Sequence, residues 1–265
     1  MSTSASTMQA FRSQLRSFTA AHARDLLRDP SSAIILVASF LGLIGLLWGV
    51  DAIVAGAGGA PAGVLERGLP LVATTGLMAV AFTLTTVPLV RHRSTGLLRA
   101  LSTTPARHDA FLLGHLPIRL AVVVGQTVVI VALAAWTSPS RPIGDLVAVA
   151  VTVLLGGCML LGLGYLLAAR LSNPDVAMQV AYLLPMLALV TSGALFPLTV
   201  LPEWVAGLFR VLPTTWIVGT LDAILSQTPP PAPLALMWGL LAACALVAGL
   251  AVGRLHRWGG RERLA

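Results

Sequence analysis

The chain has 265 residues, 57% of them hydrophobic and only 10% charged, with a formal net charge of +7. A soluble domain has about a quarter of its residues charged, so this composition excludes a water-covered globule: there are too few charges to coat one. A pI near 11.2 alone would suit a nucleic-acid binder, but the basic residues segregate along the chain and no nucleic-acid partner is expected.

In residues 1–30, Met8, Phe11, Leu15, Phe18 and Leu26 recur at steps of three, four, three and eight, with Arg12, Arg16 and Arg24 off that stripe. Such spacing predicts a basic amphipathic helix lying along a membrane surface, ended by Asp29-Pro30-Ser31. No separate signal peptide is expected, so the first span would itself be the insertion signal. That span, 32–50, carries no charge and stops at Asp51. Its eleven Leu, Ile, Val and Phe residues favour insertion by about 5 kcal/mol. Further apolar blocks follow at 69–90, 110–136, 146–169, 176–196 and 234–253, and residues 254–265 form a polar tail. Each block is close to the roughly 20 residues a spanning helix needs. They are continuously apolar rather than alternating, which selects helices over a β-barrel. The fold expected is an all-α integral membrane domain over 1–265 with six spans.

All seventeen basic residues are arginine. With six spans, only Arg67, Arg141 and Arg210 fall on one side and the other fourteen on the opposite side. The positive-inside rule then places both termini in the cytoplasm. The absence of lysine fits a GC-rich bacterial coding bias, and with it a bacterial inner membrane. It also removes the residue that a P-loop extends to the β- and γ-phosphates, so no nucleotide site is expected. No catalytic group and no metal-ligand spacing stands out. Cys158 and Cys244 read as small packing residues within spans. His22, His92, His108, His115 and His256 all fall on the arginine-rich side and read as solvated or interfacial groups. Arg119, early in the third span, is expected to snorkel to the surface.

Two connecting segments carry more. Between spans two and three, Gly96, Leu97, Leu98, Arg99 and Leu101 lead to Thr104-Pro105. The leucines sit at helical spacing and the proline stops the turn, so a short amphipathic helix faces the cytosol. After span five comes Ser192-Gly193, then Phe196-Pro197, Pro202, Trp204 and Leu212-Pro213. This stretch is apolar, yet its three prolines forbid one continuous helix. Broken backbone at membrane depth must be buried in protein or line a cavity, and a re-entrant hairpin at the outer face satisfies both.

The first segment, with its continuation Phe111-Leu-Leu-Gly-His115, resembles the first cytoplasmic loop and following helix of ABC-2-type transporter permeases. The second is similar to the family's signature before its last span. The order of these features resembles most the permeases of drug- and antibiotic-resistance exporters. This chain departs in having His92 and Arg93 where an acidic residue is usual, and Asp222 where an arginine is.

The resemblance implies a half-transporter without enzymatic activity of its own. A second permease copy, identical or related, would pair with it, and two copies of a separate ABC ATPase subunit would bind ATP and Mg beneath. Gly96, Leu97, Leu98, Arg99, Leu101 and Pro105 would couple to that subunit. Ser192, Gly193, Phe196, Pro197, Pro202, Trp204 and Pro213 would form the outer hairpin. Thr75, Thr83 and Thr86 with Met186 and Thr191 would line the path of a hydrophobic, amphipathic or lipid-like substrate, exported by alternating access. A secondary ion-coupled carrier, which needs an intramembrane charge, and a lipid-modifying membrane enzyme remain the alternatives.

Overall fold

The computed structural model describes residues 2–28, 34, 37–57, 63–95, 108–195 and 198–258, and these form helices and turns with no strand. Helix α1 (Ser2–Arg28) precedes α2 (Gly42–Gly56), which is entered through a π-helical turn at Val37–Leu41. Then follow α3 (Val64–Ser94), α4 (His108–Thr137), α5 (Ile143–Arg170) and α6 (Pro174–Thr191). Two short helices, α7 (Glu203–Arg210) and α8 (Pro213–Leu225), lead to α9 (Leu234–Trp258). Six of these, α2 to α6 and α9, are long and apolar enough to cross a membrane. The chain is a multi-pass membrane protein.

Span boundaries depart from the sequence reading where side chains satisfy polar groups that pattern alone cannot see. The first span does not end at Asp51, because α2 runs on to Gly56. The Asp51 carboxylate accepts from the amides of Val64 at 2.9 Å and Leu65 at 2.8 Å, the exposed N-terminus of α3. A carboxylate is well seated there, where unpaired N–H groups and the helix dipole both favour it. Gly63 makes the turn into α3 with φ +60°, backbone that a side chain would strain. The fifth span ends at Thr191 rather than at 196. Ser192 donates its hydroxyl to the Leu189 carbonyl and Gly193, at φ +84°, turns the chain away.

Helix α3 is the centre of the bundle, with α2, α4, α5, α6 and α8 packed around it. Leu69, Val72, Leu77, Met78, Val80 and Leu84 are fully enclosed there. Helix α9 packs on α5 and α8, and α1 lies against α4. Mid-way along, α3 becomes a π-helix over Ala79–Thr86. Such i→i+5 stretches are rare, and here two threonine hydroxyls add bonds to the carbonyls. Thr85 donates to the Val80 carbonyl at 2.7 Å. Thr86 donates to those of Ala81 at 3.2 Å and, across the interface, Gly164 of α5 at 2.9 Å. Any Cβ at Gly164 would run into the Ala81 carbonyl, so glycine is what lets the two backbones meet.

Candidate functional site

Functional features gather at the two ends of the bundle. At the arginine-rich end, the Arg93 guanidinium at the foot of α3 donates through Nη1 to the carbonyls of Ala168 at 2.8 Å and Ala169 at 3.2 Å, with Leu171 at 3.5 Å. These are among the last carbonyls of α5, which have no partners within the helix, and a cation there also suits the helix dipole. Where the family's acidic residue is missing, Arg93 fixes the root of the following loop to α5. That loop lies outside the described residues, and with it Gly96, Leu97, Leu98, Arg99, Leu101 and Pro105.

Beside it, α1 lies on the start of α4. Phe18 and the Thr19 amide close over Gly114, where no side chain would fit without displacing them. The rings of His22 and His115 meet edge to face with centroids 4.4 Å apart, both buried. His22 fills the step of eight between Phe18 and Leu26, so the inward stripe of α1 is partly polar. Arg16 and Arg24 face out. Of the expectation that His22 and His115 are solvated or interfacial, the solvated part is therefore overturned, and Arg119, expected to snorkel, is enclosed by protein. Arg119 is only 5% exposed, its Nε and Nη1 without hydrogen-bond partners among the described residues. His115, Arg119 and Gln126 follow one face of α4, and the buried hydroxyl of Tyr165 likewise has no partner among the described residues. Sequence reading had His115 and Arg119 in view but placed them at the interface, because their position early in the span is all that the pattern shows. Gln126 gave no signal beyond being a lone amide in an apolar block.

The opposite end of the bundle is fastened by a second arginine. Arg141, in the turn between α4 and α5, pairs through Nη2 with Glu66 of α3 at 2.6 Å. It also donates to the carbonyls of Ile224 and Leu225 at 3.0 Å each, the last turn of α8. Ser138 donates to the same Glu66 oxygen at 2.6 Å. One guanidinium thus ties α3, the α4–α5 turn and α8 together. Sequence reading counted Arg141 only as an outside charge, because its partners lie 75 and more positions away.

Of the outer signature, Phe196 and Pro197 lie outside the described residues, and the rest come together around a joint. Pro202 caps α7 and Pro213 opens α8, and the two helices meet at an angle of 97°. The Thr215 hydroxyl donates to the Phe209 carbonyl at 2.7 Å, with the Thr191 carbonyl at 3.4 Å, and the Trp216 indole donates to the Arg210 carbonyl at 2.9 Å. These bonds satisfy carbonyls that the bend frees. Ser192 is buried beneath the joint, while Trp204 is 77% exposed. Beyond the joint α8 enters the core, with Ile217 and Leu221 fully enclosed.

The residues expected to line a substrate path are not brought together within this chain. Thr86 is fully enclosed with both its bonds made, the Thr75 hydroxyl is buried, and Thr83 is half-buried. Met186 is 64% exposed on the opposite side of its own helix, and Thr191 bonds back to the Leu187 carbonyl.

The sequence model of the ABC-2 type transporter family matches residues 13–225. The chain belongs to this family. It is the membrane-spanning permease of an ABC transporter, a transport component. The match covers α1 from Ser13, the Arg93 foot, the Arg141 clasp and the joint, and stops at the end of α8. No curated protein matches the permease.

Proposed function

We propose that this permease is one half of an exporter in a bacterial inner membrane, with both termini in the cytoplasm. A second copy or a close relative pairs with it, and two ATP-hydrolysing subunits dock beneath, supplying ATP and Mg chemistry this chain does not. The substrate is a hydrophobic or amphipathic small molecule, a drug or a lipid-like compound. It moves between the copies as the two permeases rock between inward- and outward-open forms.

The observation that carries this reading is the bare face of α6, where Met178, Tyr182, Leu183, Met186 and Leu187 are exposed although α6 is anchored to α3 and α8. An apolar face of this kind suits a pairing surface and, with Met186 and Thr191 at its outer half, the wall of a path between copies. The α7–α8 joint stands at the outer end of the same helix and is suited to closing that path as a re-entrant hairpin. Orientation rests on the fourteen arginines of one side against three on the other.

The buried Arg119 and His115 support a second reading, ion-coupled carriage, since an intramembrane charge is costly and marks function by default. Transport in inverted vesicles separates the two. Leu98→Asp or Leu101→Asp would place a charge in the face offered to the ATPase, costing several kcal/mol of docking. We expect insertion to persist while ATPase co-purification and ATP-driven transport both fall at least tenfold, about 1.4 kcal/mol or more. Wild-type values for both variants would remove the loop as the coupling element. Transport driven by an ion gradient without any ATPase would establish the second reading.

A further inference from the structure

Helices α5 and α9 touch at Gly162 and Ala248 and enclose a groove of about 720 Å³ toward their C-terminal ends. Its walls are Leu163, Leu166 and Leu167 from α5 with Val247, Leu250 and Ala251 from α9, at matching steps of three and four. Arg170 and Arg254, the most C-terminal lining residue of each helix, complete the wall. Both are exposed, and among the described residues neither has a carboxylate partner. We propose that this groove binds one acyl chain of an anionic glycerophospholipid of the inner leaflet, its phosphate held by Arg170 and Arg254.

Three observations favour that occupant. In a bilayer an apolar groove gains nothing from hydrophobicity alone, since lipid tails are as apolar as leucine. Selectivity must come from the two guanidinium groups, which match a phosphate in charge and in hydrogen-bond geometry. The depth also fits. From Leu163 to Arg170 the groove runs about 10 Å along the helix, within one leaflet of a hydrocarbon core about 30 Å thick. Finally, this is the end at which fourteen of seventeen arginines collect. A second copy seated there would set like charges against like, whereas an anionic headgroup neutralises them. The site is separate from the bare face of α6, which packs on α3 and α8. It depends on the proposed orientation only for the choice of leaflet. Arg170 follows directly on the Ala168 and Ala169 carbonyls held by Arg93, so a bound lipid would lie beside the root of the 96–107 loop.

Native mass spectrometry of the full-length permease in detergent, titrated with phosphatidylglycerol and with chain-matched phosphatidylcholine, tests this. The first phosphatidylglycerol should bind about tenfold tighter than phosphatidylcholine or better. Arg170→Gln with Arg254→Gln should abolish that preference, and Arg170→Lys with Arg254→Lys should keep most of it. Ala251→Trp, which fills the groove and leaves both arginines, should weaken binding of that first phosphatidylglycerol. Equal affinity for the two lipids, or an unchanged preference in the glutamine pair, would reduce the groove to ordinary lipid contact and overturn the proposal. So would a disulfide between copies of Leu250→Cys in native membranes, on a background with Cys158→Ala and Cys244→Ala, because a second copy would then occupy the groove.

Discussion

Asp51, Arg93 and Arg141 are charged residues in a chain with few of them, and each holds backbone groups that a helix end leaves unsatisfied. Asp51 takes two amides of α3, Arg93 takes carbonyls of α5, and Arg141 takes two carbonyls of α8 while pairing with Glu66. Without water at membrane depth such groups must find protein partners, which is why so sparse a set of charges is distributed to helix ends. Removing Arg141 takes the cation from Glu66, which keeps only the Ser138 hydroxyl, and frees both carbonyls together. Arg141→Ala should therefore cost about 3 kcal/mol of stability. Glu66→Gln should cost about 1 kcal/mol, since the amide oxygen still accepts and the two carbonyl bonds remain. Thermal melting of the detergent-solubilised protein reads both, and the double variant should melt close to Arg141→Ala alone because the losses share one network. An Arg141→Ala protein that melts like wild type would show the clasp to be idle.

At the scale of elements, the most consequential departure from pattern is the π-helical stretch of α3. Thr83 and Thr86 read in sequence as hydroxyls that could face a path. The packed structure gives Thr85 and Thr86 to carbonyls of this stretch and of α5, and Gly164 provides the close approach that completes the contact. Gly164→Val would force α5 away from α3 along this seam, and we expect a loss of about 3 kcal/mol, seen as reduced yield and melting temperature. Gly125→Val on α4, where a side chain meets open space, should be tolerated in the same assay. The second departure is α8. Its residues were legible as non-spanning because of Pro202 and Pro213. That it plunges into the core was not, since Ile217 and Leu221 look no different in sequence from lipid-facing residues.

At the scale of the whole molecule, the bundle is closed on some sides and open on others. Helix α3 is enclosed on nearly all sides, whereas α2 and α6 show apolar faces. Exposure of this kind suits lipid or a second permease, and a cross-link distinguishes them. With Cys158→Ala and Cys244→Ala, a Met186→Cys protein should form a disulfide-linked dimer in membranes on mild oxidation. Val147→Cys on the exposed side of α5 should not. Cross-linking at Val147 and none at Met186 would move the pairing surface to another side of the bundle.

The six spans and the uneven distribution of arginine between the segments that join them were determined by sequence. Insertion into a bilayer depends on summed apolar content over about 20 residues, and sidedness on charge counts in short loops, quantities local to a stretch of chain. What each spanning residue faces was decided only by tertiary structure. In a membrane the lipid-facing and protein-facing sides of a helix are both apolar, so the periodicity that reveals a soluble core is weak. Arg119 and His115 turned inward beneath α1, Asp51 seated on the next helix, and Arg141 reached carbonyls 83 and 84 positions away. The placements of Asp51 and Arg141 rest on satisfying polar groups at low dielectric, with partners that are neighbours only once the helices have packed, and the enclosure of His115 and Arg119 likewise exists only in the packed bundle.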